Sequence, residues 1–225
     1  MTFSISARCP RTGMFGIAVS SSSPCVAARC AHARAQVGVV ATQNITDPML
    51  GPRGLDLLAQ GLSATEVLKR LSETSDHFEY RQVVVLDREG RAAGHSGAKT
   101  LGTHTIAHAP GVAAAGNLLR SFGVPQAMVD SFSAAPDAHL GDRLVAAMQA
   151  AVAAGGEEGP VHSVGMLLVD KVGWPVADLR IDWSEGDVMA ELAALWRLWQ
   201  PQMDAYVARA LNPALAPSYG VPGDE

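Results

Sequence analysis

Met1-Thr2-Phe3-Ser4-Ile5-Ser6-Ala7-Arg8 opens the chain with strict alternation of apolar and polar residues. Phe3, Ile5 and Ala7 fall on one face and Thr2, Ser4, Ser6 and Arg8 on the other, the period-two pattern of a half-buried strand. The strand starts directly behind the methionine, so no leader segment is expected ahead of it. Thr2 takes the polar face, and a residue this small at the second position normally allows removal of the initiator methionine. Removal leaves a hydroxyl and a free α-amine on one residue. The amine titrates near about 7.7 to 8.0 in model peptides, close to where a general base must sit to activate a weak hydroxyl nucleophile. The same eight residues also fit a plain edge strand that does no chemistry.

Working outward, Pro10-Arg11-Thr12-Gly13 reads as a turn and Phe15 to Ser20 as the hairpin partner of the first strand. Ser20-Ser21-Ser22-Ser23-Pro24-Cys25 is a polar loop, able to touch a substrate or to cap a helix beginning near Pro24. A third strand spans Gln36 to Gln43, followed by a loop from Asn44 to Arg53 and a helix from Gly54 to Gln60. Ser63-Ala64-Thr65-Glu66 has capping-box spacing and starts a second helix to Ser72. Arg81 to Asp87 and Arg91 to Ser96 form a hairpin around Asp87-Arg88-Glu89-Gly90, with short strands at Thr105 to Ala109 and Val112 to Gly116. Helices follow over Val124 to Ser133 and His139 to Ala154, then a hairpin of His162 to Asp170 with Val176 to Asp182. The last helix begins near Asp187 and carries Leu192, Leu195, Trp196 and Trp199 at helical spacing, with Pro201 interrupting it. Hairpins separated by helix pairs indicate antiparallel sheets covered by helices, an α+β arrangement. One domain is expected over residues 1–211, with a loose Pro- and Gly-rich tail over 212–225.

Composition narrows the function. With 17 basic against 22 acidic residues, and the basic ones scattered, the chain has no nucleic-acid footprint. No apolar run approaches the roughly 20 residues of a membrane span, so no membrane partner is expected. Three cysteines, an odd number, leave no self-contained disulfide framework, which fits a reducing cytoplasm. Cys25, Cys30 and His32 stand as C-x4-C-x-H, outside the strong zinc patterns, and Cys9 lies elsewhere, so no metal and no cofactor is expected. A Cys near a His also reads as a packed thiol sooner than as a nucleophile. His104 and His108 suit a surface pair on one strand face.

With the elements placed, several motifs stand together: MTFSI-AR-P-TG-FGIAVSSS, VGVVATQN-TDP-LGPRGLDLLAQGLSA, RQV-V-D-EGR-A-HSG, AAGNLL and DLRID. In them the chain resembles an uncharacterised family, domain of unknown function 1028, grouped with the N-terminal-nucleophile hydrolases. The resemblance runs over nearly all of residues 1–191. It implies a four-layer αββα sandwich, two antiparallel sheets between helical layers, with the nucleophile on the first strand. It carries no settled substrate.

Carried over to this chain, the resemblance puts Thr2 at the nucleophile, attacking the amide carbonyl of a small molecule while its own α-amine relays the proton. Asn117, after Gly116 at a strand end, is the candidate oxyanion donor, or else the cap of the turn that follows. Gln43, Asn44 and Gln82 are candidate amide contacts to substrate, and Ser22 and Ser23 lie on a loop that can fold over the pocket. Asp178, Arg180 and Asp182 read as a structural charge ladder, and Arg8, some 20 Å along the strand from Thr2 at about 3.3 Å per residue, as a strand-end charge. A homodimer or higher homo-oligomer is expected from an apolar C-terminal helix with exposed tryptophans. Two other readings remain open at this point: a metabolite-binding protein of the same fold that keeps Met1, and a hydrolase using Ser22 or Ser23 with His32 as base.

Overall fold

The computed structural model describes residues 1–223. In chain order the strands are β1 (Thr2–Arg8), β2 (Phe15–Ser21), β3 (Ala31–Arg34), β4 (Gly38–Asn44), β5 (Arg81–Asp87), β6 (Ala92–Ser96), β7 (Thr105–Ala109), β8 (Val112–Asn117), β9 (Ser163–Val169) and β10 (Ala177–Ile181). The helices are α1 (Val26–Cys30), α2 (Leu50–Ala59), α3 (Ala64–Thr74), α4 (Val124–Ser133), α5 (Leu140–Ala153), α6 (Val188–Trp199) and α7 (Met203–Leu211). Among the described residues the strands make two antiparallel sheets, one ordered β10-β9-β2-β1-β8-β7 and the other β3-β4-β5-β6. The protein is therefore of mixed α+β class.

Alternation in the strands decides what each sheet face meets. Phe3, Ile5 and Ala7 of β1 pack with Met128, Val129 and Phe132 of α4, Leu144 and Met148 of α5, and Leu192 and Trp196 of α6. Val40, Val83 and Val85 of the smaller sheet pack with Leu55 and Leu58 of α2 and Val67 and Leu71 of α3. The opposite faces of the two sheets meet each other through Phe15, Ile17, Ala113 and Ala115 on one side and Val39, Ala41, Val84 and Leu86 on the other. Each fully buried side chain of this size contributes about 1.5 to 3 kcal/mol, so the facing sheets are held by burial on both faces.

Several expectations hold. The hairpin of β1 and β2 forms with Ser4 opposite Val19, and Ser63 and Glu66 cap α3 reciprocally, with Ser63 N–H donating to Glu66 Oε2 at 2.8 Å.

Others need correction. β1 is neither half-buried nor an edge: it runs between β2 and β8, and Ser4 and Ser6 are as enclosed as Phe3 because the second sheet covers the polar face. The helix expected from Pro24 is only the five residues of α1, and Ala31–Arg34 is a strand paired with β4. Nothing β-branched marks that segment; pairing with β4 imposes its conformation. α2 starts at Leu50 inside the expected loop, with Pro52 tolerated in the first turn, where its missing N–H has no intrahelical partner to lose.

The tryptophans of α6 do not face outward. Trp196 is buried, stacked on His139 with ring centroids 5.3 Å apart, and its indole N–H donates to Asp142 Oδ1 at 2.7 Å. Trp199 donates to the Val176 carbonyl at 3.0 Å. The argument from exposed tryptophans to a homo-oligomer therefore loses its premise. The tail folds back too: Tyr219 meets Tyr206 edge-on and lies 3.8 Å from the Arg209 guanidinium. Residues 224–225 of the expected tail lie outside the described residues.

α5 can approach α6 because position 141 carries no side chain. A Cβ there would fall 2.2 Å from the Trp196 ring, whose position the Asp142 bond and the His139 stack fix. Gly141→Ala gains about 1 kcal/mol of helix propensity but overpacks the contact at a cost of about 1 to 3 kcal/mol. We expect the clash to win, giving a lower urea midpoint; an unchanged or higher midpoint would show that Trp196 is free to move.

Candidate active site

The space between the sheets is apolar over most of its length and turns polar where β1 begins. Thr2 pairs with Asn117 across β1 and β8, and the neighbouring Phe3–Ser20 pair sets Ser21 of β2 alongside Thr2. On the facing sheet, Gln43 pairs with Gln82 and Gln82 with Ser96. The period-two pattern that sends Phe15 and Ile17, Val39 and Ala41, and Val84 and Leu86 into the inter-sheet layer thus sends Ser21, Gln43 and Gln82 into the same layer at one end. Thr2, Ser21, Gln43, Gln82 and Asn117 are all buried, and Ser96 is partly so.

Buried amides must find partners, and these find one another. Ser4 Oγ donates to Gln43 Oε1 at 2.7 Å, and Gln43 Nε2 donates to Gln82 Oε1 at 2.7 Å. Asn117 Nδ2 donates to the same oxygen at 3.2 Å, while Gln82 Nε2 donates to Ser96 Oγ and to the Gly116 carbonyl. The donor directions are mutually consistent: reversing the Asn117 amide would set two oxygens against each other. Asn117 Oδ1 is left buried with no hydrogen-bond partner among the described residues.

A second cluster lies at the start of β1: the Thr2 hydroxyl donates to the Met1 carbonyl at 2.5 Å, and Ser21 Oγ donates to the same oxygen at 2.5 Å. Thr2 Oγ1 and Ser21 Oγ lie 3.4 Å apart. The serine loop is anchored beside them: Ser21 Oγ contacts Ser23 Oγ at 3.0 Å, and Ser163 Oγ donates to the Ser23 carbonyl at 2.6 Å. Ser163 also receives the Val26 N–H on its hydroxyl and the Ser20 hydroxyl on its carbonyl. These bonds hold the serine loop beside Thr2.

The fourth wall is an acid. Glu157 is 3% exposed, and neither of its carboxylate oxygens meets a hydrogen-bond partner among the described residues. An antiparallel bridge between Leu119 and Glu157, and the Glu158 N–H bonded to the Leu118 carbonyl, tuck this segment against the end of β8. Burial pushes the carboxyl up to about 8, offset by the Met1 α-ammonium and, less, by the nearby Ser22 backbone N–H, which acts on it electrostatically without reaching good hydrogen-bonding geometry.

The sequence candidates therefore divide. Asn117, Gln43 and Gln82 come together in one hydrogen-bonded network, Thr2 adjoins it through its backbone pairing with Asn117, and Ser23 meets Thr2 through Ser21. Ser22 contributes its backbone N–H to the Glu157 side. Asn44 turns away: in left-handed conformation at φ 77, it donates to the Tyr80 carbonyl and accepts the Leu101 N–H, closing a loop. His32 is no base for the serines. It sits behind α1 against Gly51, its imidazole lowered by burial, with Nε2 3.3 Å from the Arg29 carbonyl. Cys30 is buried next to Thr46, its thiol raised by burial, whereas Cys25 is exposed and Cys9 buried. Among the described residues no group of three metal-ligating side chains gathers. Arg180 holds Asp182 through two nitrogens, as a structural ladder does.

Sequence reading missed Ser4 and Glu157, and placed Ser21 in a loop able to touch a substrate when it is the last residue of β2. Ser21 was available from alternation, since it is two residues beyond Val19 and four beyond Ile17 on the same strand. Glu157 had no such signal: in Gly155-Gly156-Glu157-Glu158-Gly159 it looks like half of an exposed acidic pair ending a helix.

Comparison with known proteins agrees with this picture at the level of fold. None of the curated proteins matches the chain. A crystal structure of a protein from Silicibacter pomeroyi, assigned to domain of unknown function 1028, is 28% identical and covers 88% of each chain with a TM-score of 0.81. The ancestral β-subunit Anbu from Yersinia bercovieri aligns over 90% of this chain and 96% of its own, at 9% identity and a TM-score of 0.38. No helix of the described residues is long and apolar enough to cross a membrane. The model of domain of unknown function 1028, a family of unknown function, matches residues 2–192, and the chain belongs to that family.

Proposed function

We propose that the protein is an N-terminal-nucleophile amidohydrolase that cleaves a C–N amide bond of a small molecule through Thr2 once Met1 is gone. The observation that carries this reading is the position of Thr2, the second residue of the chain, buried at the start of the central strand β1, with its hydroxyl beside Ser21 Oγ and its backbone paired to the buried Asn117. Two facing antiparallel sheets with helices packed on their outer faces fit the αββα sandwich of such enzymes.

The chemistry follows from the positions. Thr2 Oγ attacks the acyl carbon as the α-amine takes its proton; the C–N bond breaks, the leaving amine takes that proton, and water then hydrolyses the Thr2 ester. The developing oxyanion needs preorganised donors. Ser21 Oγ already donates to a carbonyl oxygen there, and one N–H of the Asn117 amide remains after the bond to Gln82. The idle Asn117 Oδ1, directly across from Thr2, suits an α-ammonium as its acceptor. Gln43 and Gln82 hold the Asn117 amide in one orientation and so are positioning residues.

One observation favours a second reading. Met1 is well accommodated, its carbonyl held by two hydroxyls, so a chain that keeps it would be a binding protein of the same fold. Intact mass of protein made without an N-terminal tag separates the two. Loss of one methionine is expected, and a retained Met1 would end the hydrolase reading. In the processed protein, Thr2→Ala should abolish hydrolysis of small amides while leaving the circular dichroism spectrum unchanged, and Asn117→Ala should lower kcat by roughly 10² to 10³. A fully active Thr2→Ala protein would sink the mechanism.

The buried acid sets a pH dependence in the chain that keeps Met1. Folded Glu157 holds its proton up to about 8, against 4.5 for an ordinary glutamate, so the folded state carries the extra proton between these values. Its contribution to stability is therefore fully present below 4.5 and is lost as pH rises through about 8. Glu157→Gln removes this slope. Between roughly pH 5 and pH 8 the wild type should lose up to a few kcal/mol more than the variant in urea melts. Parallel losses would mean that Glu157 is ionised throughout.

A further inference from the structure

We infer that Leu118 is a positioning residue: a left-handed kink at this leucine, locked by its own side chain, ends β8 at Asn117 and holds that amide in place across from Thr2. The inference rests on the proposed role of Asn117 as oxyanion donor.

The faces of β8 locate the kink. Ala113 and Ala115 face the second sheet, and Asn117 does so too, since it reaches Gln82. Val112 and Ala114 face the helices. Continued without a break, the period of two would send Leu119 between the sheets, just beyond Asn117. Leu119 is instead fully buried among the helix-facing residues. The change of face falls at Leu118, whose φ is 51. Its N–H and that of Leu119 both donate to one neighbouring segment, at the Leu101 and Thr103 carbonyls, whereas a regular strand turns consecutive N–H groups to opposite neighbours. This is the mark of a β-bulge, an irregularity that re-aims side chains and is common beside active sites. Its effect is to make Asn117 the last side chain that β8 sends into the layer between the sheets.

Two glycines hold the kink. A Cβ on Gly116 would fall 2.7 Å from Leu119 Cδ2, and one on Gly102 would fall 2.6 Å from Leu118 Cδ2, so each leucine lies in the space that a missing side chain leaves. The Leu118 carbonyl accepts the Glu158 N–H at 3.0 Å, and the Arg120 N–H donates to the Gly156 carbonyl at 3.1 Å. The chain beyond Asn117 is therefore tied to segments on both sides. A left-handed backbone is unfavourable for a bulky residue, and glycine is its usual occupant. Leu118 is only partly buried, so its own burial offsets little of that strain. Strain of this kind persists where the surroundings fix it and clusters at functional sites; here it fixes the neighbouring amide.

The test uses the full chain with Thr2 at its N-terminus, verified by intact mass. Leu118→Gly permits the kink but empties the space over Gly102, while Leu118→Ala empties that space and keeps the strain, so the alanine variant should melt below the glycine variant. Equal melting, or a more stable alanine variant, would overturn the kink. Hydrogen exchange of the Asn117 Nδ2 protons, assigned by their absence from Asn117→Ala, follows the amide itself. It should run about tenfold or more faster in Leu118→Gly while the Ala114 backbone amide is unchanged. Unchanged exchange at Asn117, or equal acceleration at Ala114, would overturn the positioning role. Activity is scored with p-nitrophenyl acetate as the nitrophenolate release that Thr2→Ala abolishes. Leu118→Gly should lower kcat about tenfold or more with KM little changed, and should cost nothing further in Asn117→Ala protein, because it acts through that amide. Multiplying losses in the double variant would refute that route. Wild-type release no greater than that of Thr2→Ala would refute the nucleophile instead, and the exchange rates would still decide whether Leu118 holds Asn117.

Discussion

The pairing of β1 between β2 and β8 is the constraint on which everything else depends. It makes the first strand of the chain the middle of a sheet, and the period-two alternation then gives its two faces different tasks. Phe3, Ile5 and Ala7 anchor it to the helices, while Thr2 and Ser4 are forced into the layer between the sheets, where no bulk water is available to satisfy a hydroxyl. A buried hydroxyl without a partner costs about 1 to 3 kcal/mol. The facing strands offset that cost with Gln43, which accepts from Ser4, and with Gln82 behind it. Polar residues in the smaller sheet are thus a consequence of where β1 lies.

The network is unequally satisfied, and the inequality is informative. Gln82 uses its oxygen twice and its nitrogen twice, so its orientation is fixed by four contacts. Asn117 Oδ1 and both Glu157 carboxylate oxygens are left without partners among the described residues, as is Ser6 Oγ farther along β1.

Much of this was legible in the sequence. β1, its hairpin partner, the Ser63–Glu66 cap and the β5–β6 hairpin follow from local patterns that carry their own physics. The edge strand β3 did not, because Ala31-His32-Ala33-Arg34 has no intrinsic preference for extension and takes it from β4. Trp196 and Trp199 were placed on the right helix, but the 3.6-residue period does not say which stripe meets the sheet; the stacked His139 and the hydrogen bond to Asp142 decide it. Glu157 was invisible for a related reason. Its burial comes with the pairing of residues 156–158 against 118–120, a contact between segments that no local pattern connects.

The clamp that Ser163 places on the serine loop bears on the order in which the molecule is made. Ser23 and Ser163 are 140 positions apart, so the wall beside Thr2 closes only after most of the chain has left the ribosome. Loop closure over such a separation makes this a late event in folding. Once it has closed, Met1 is half-buried and its carbonyl is held, so on the proposed function the removal of Met1 belongs to the interval before the distant strands assemble.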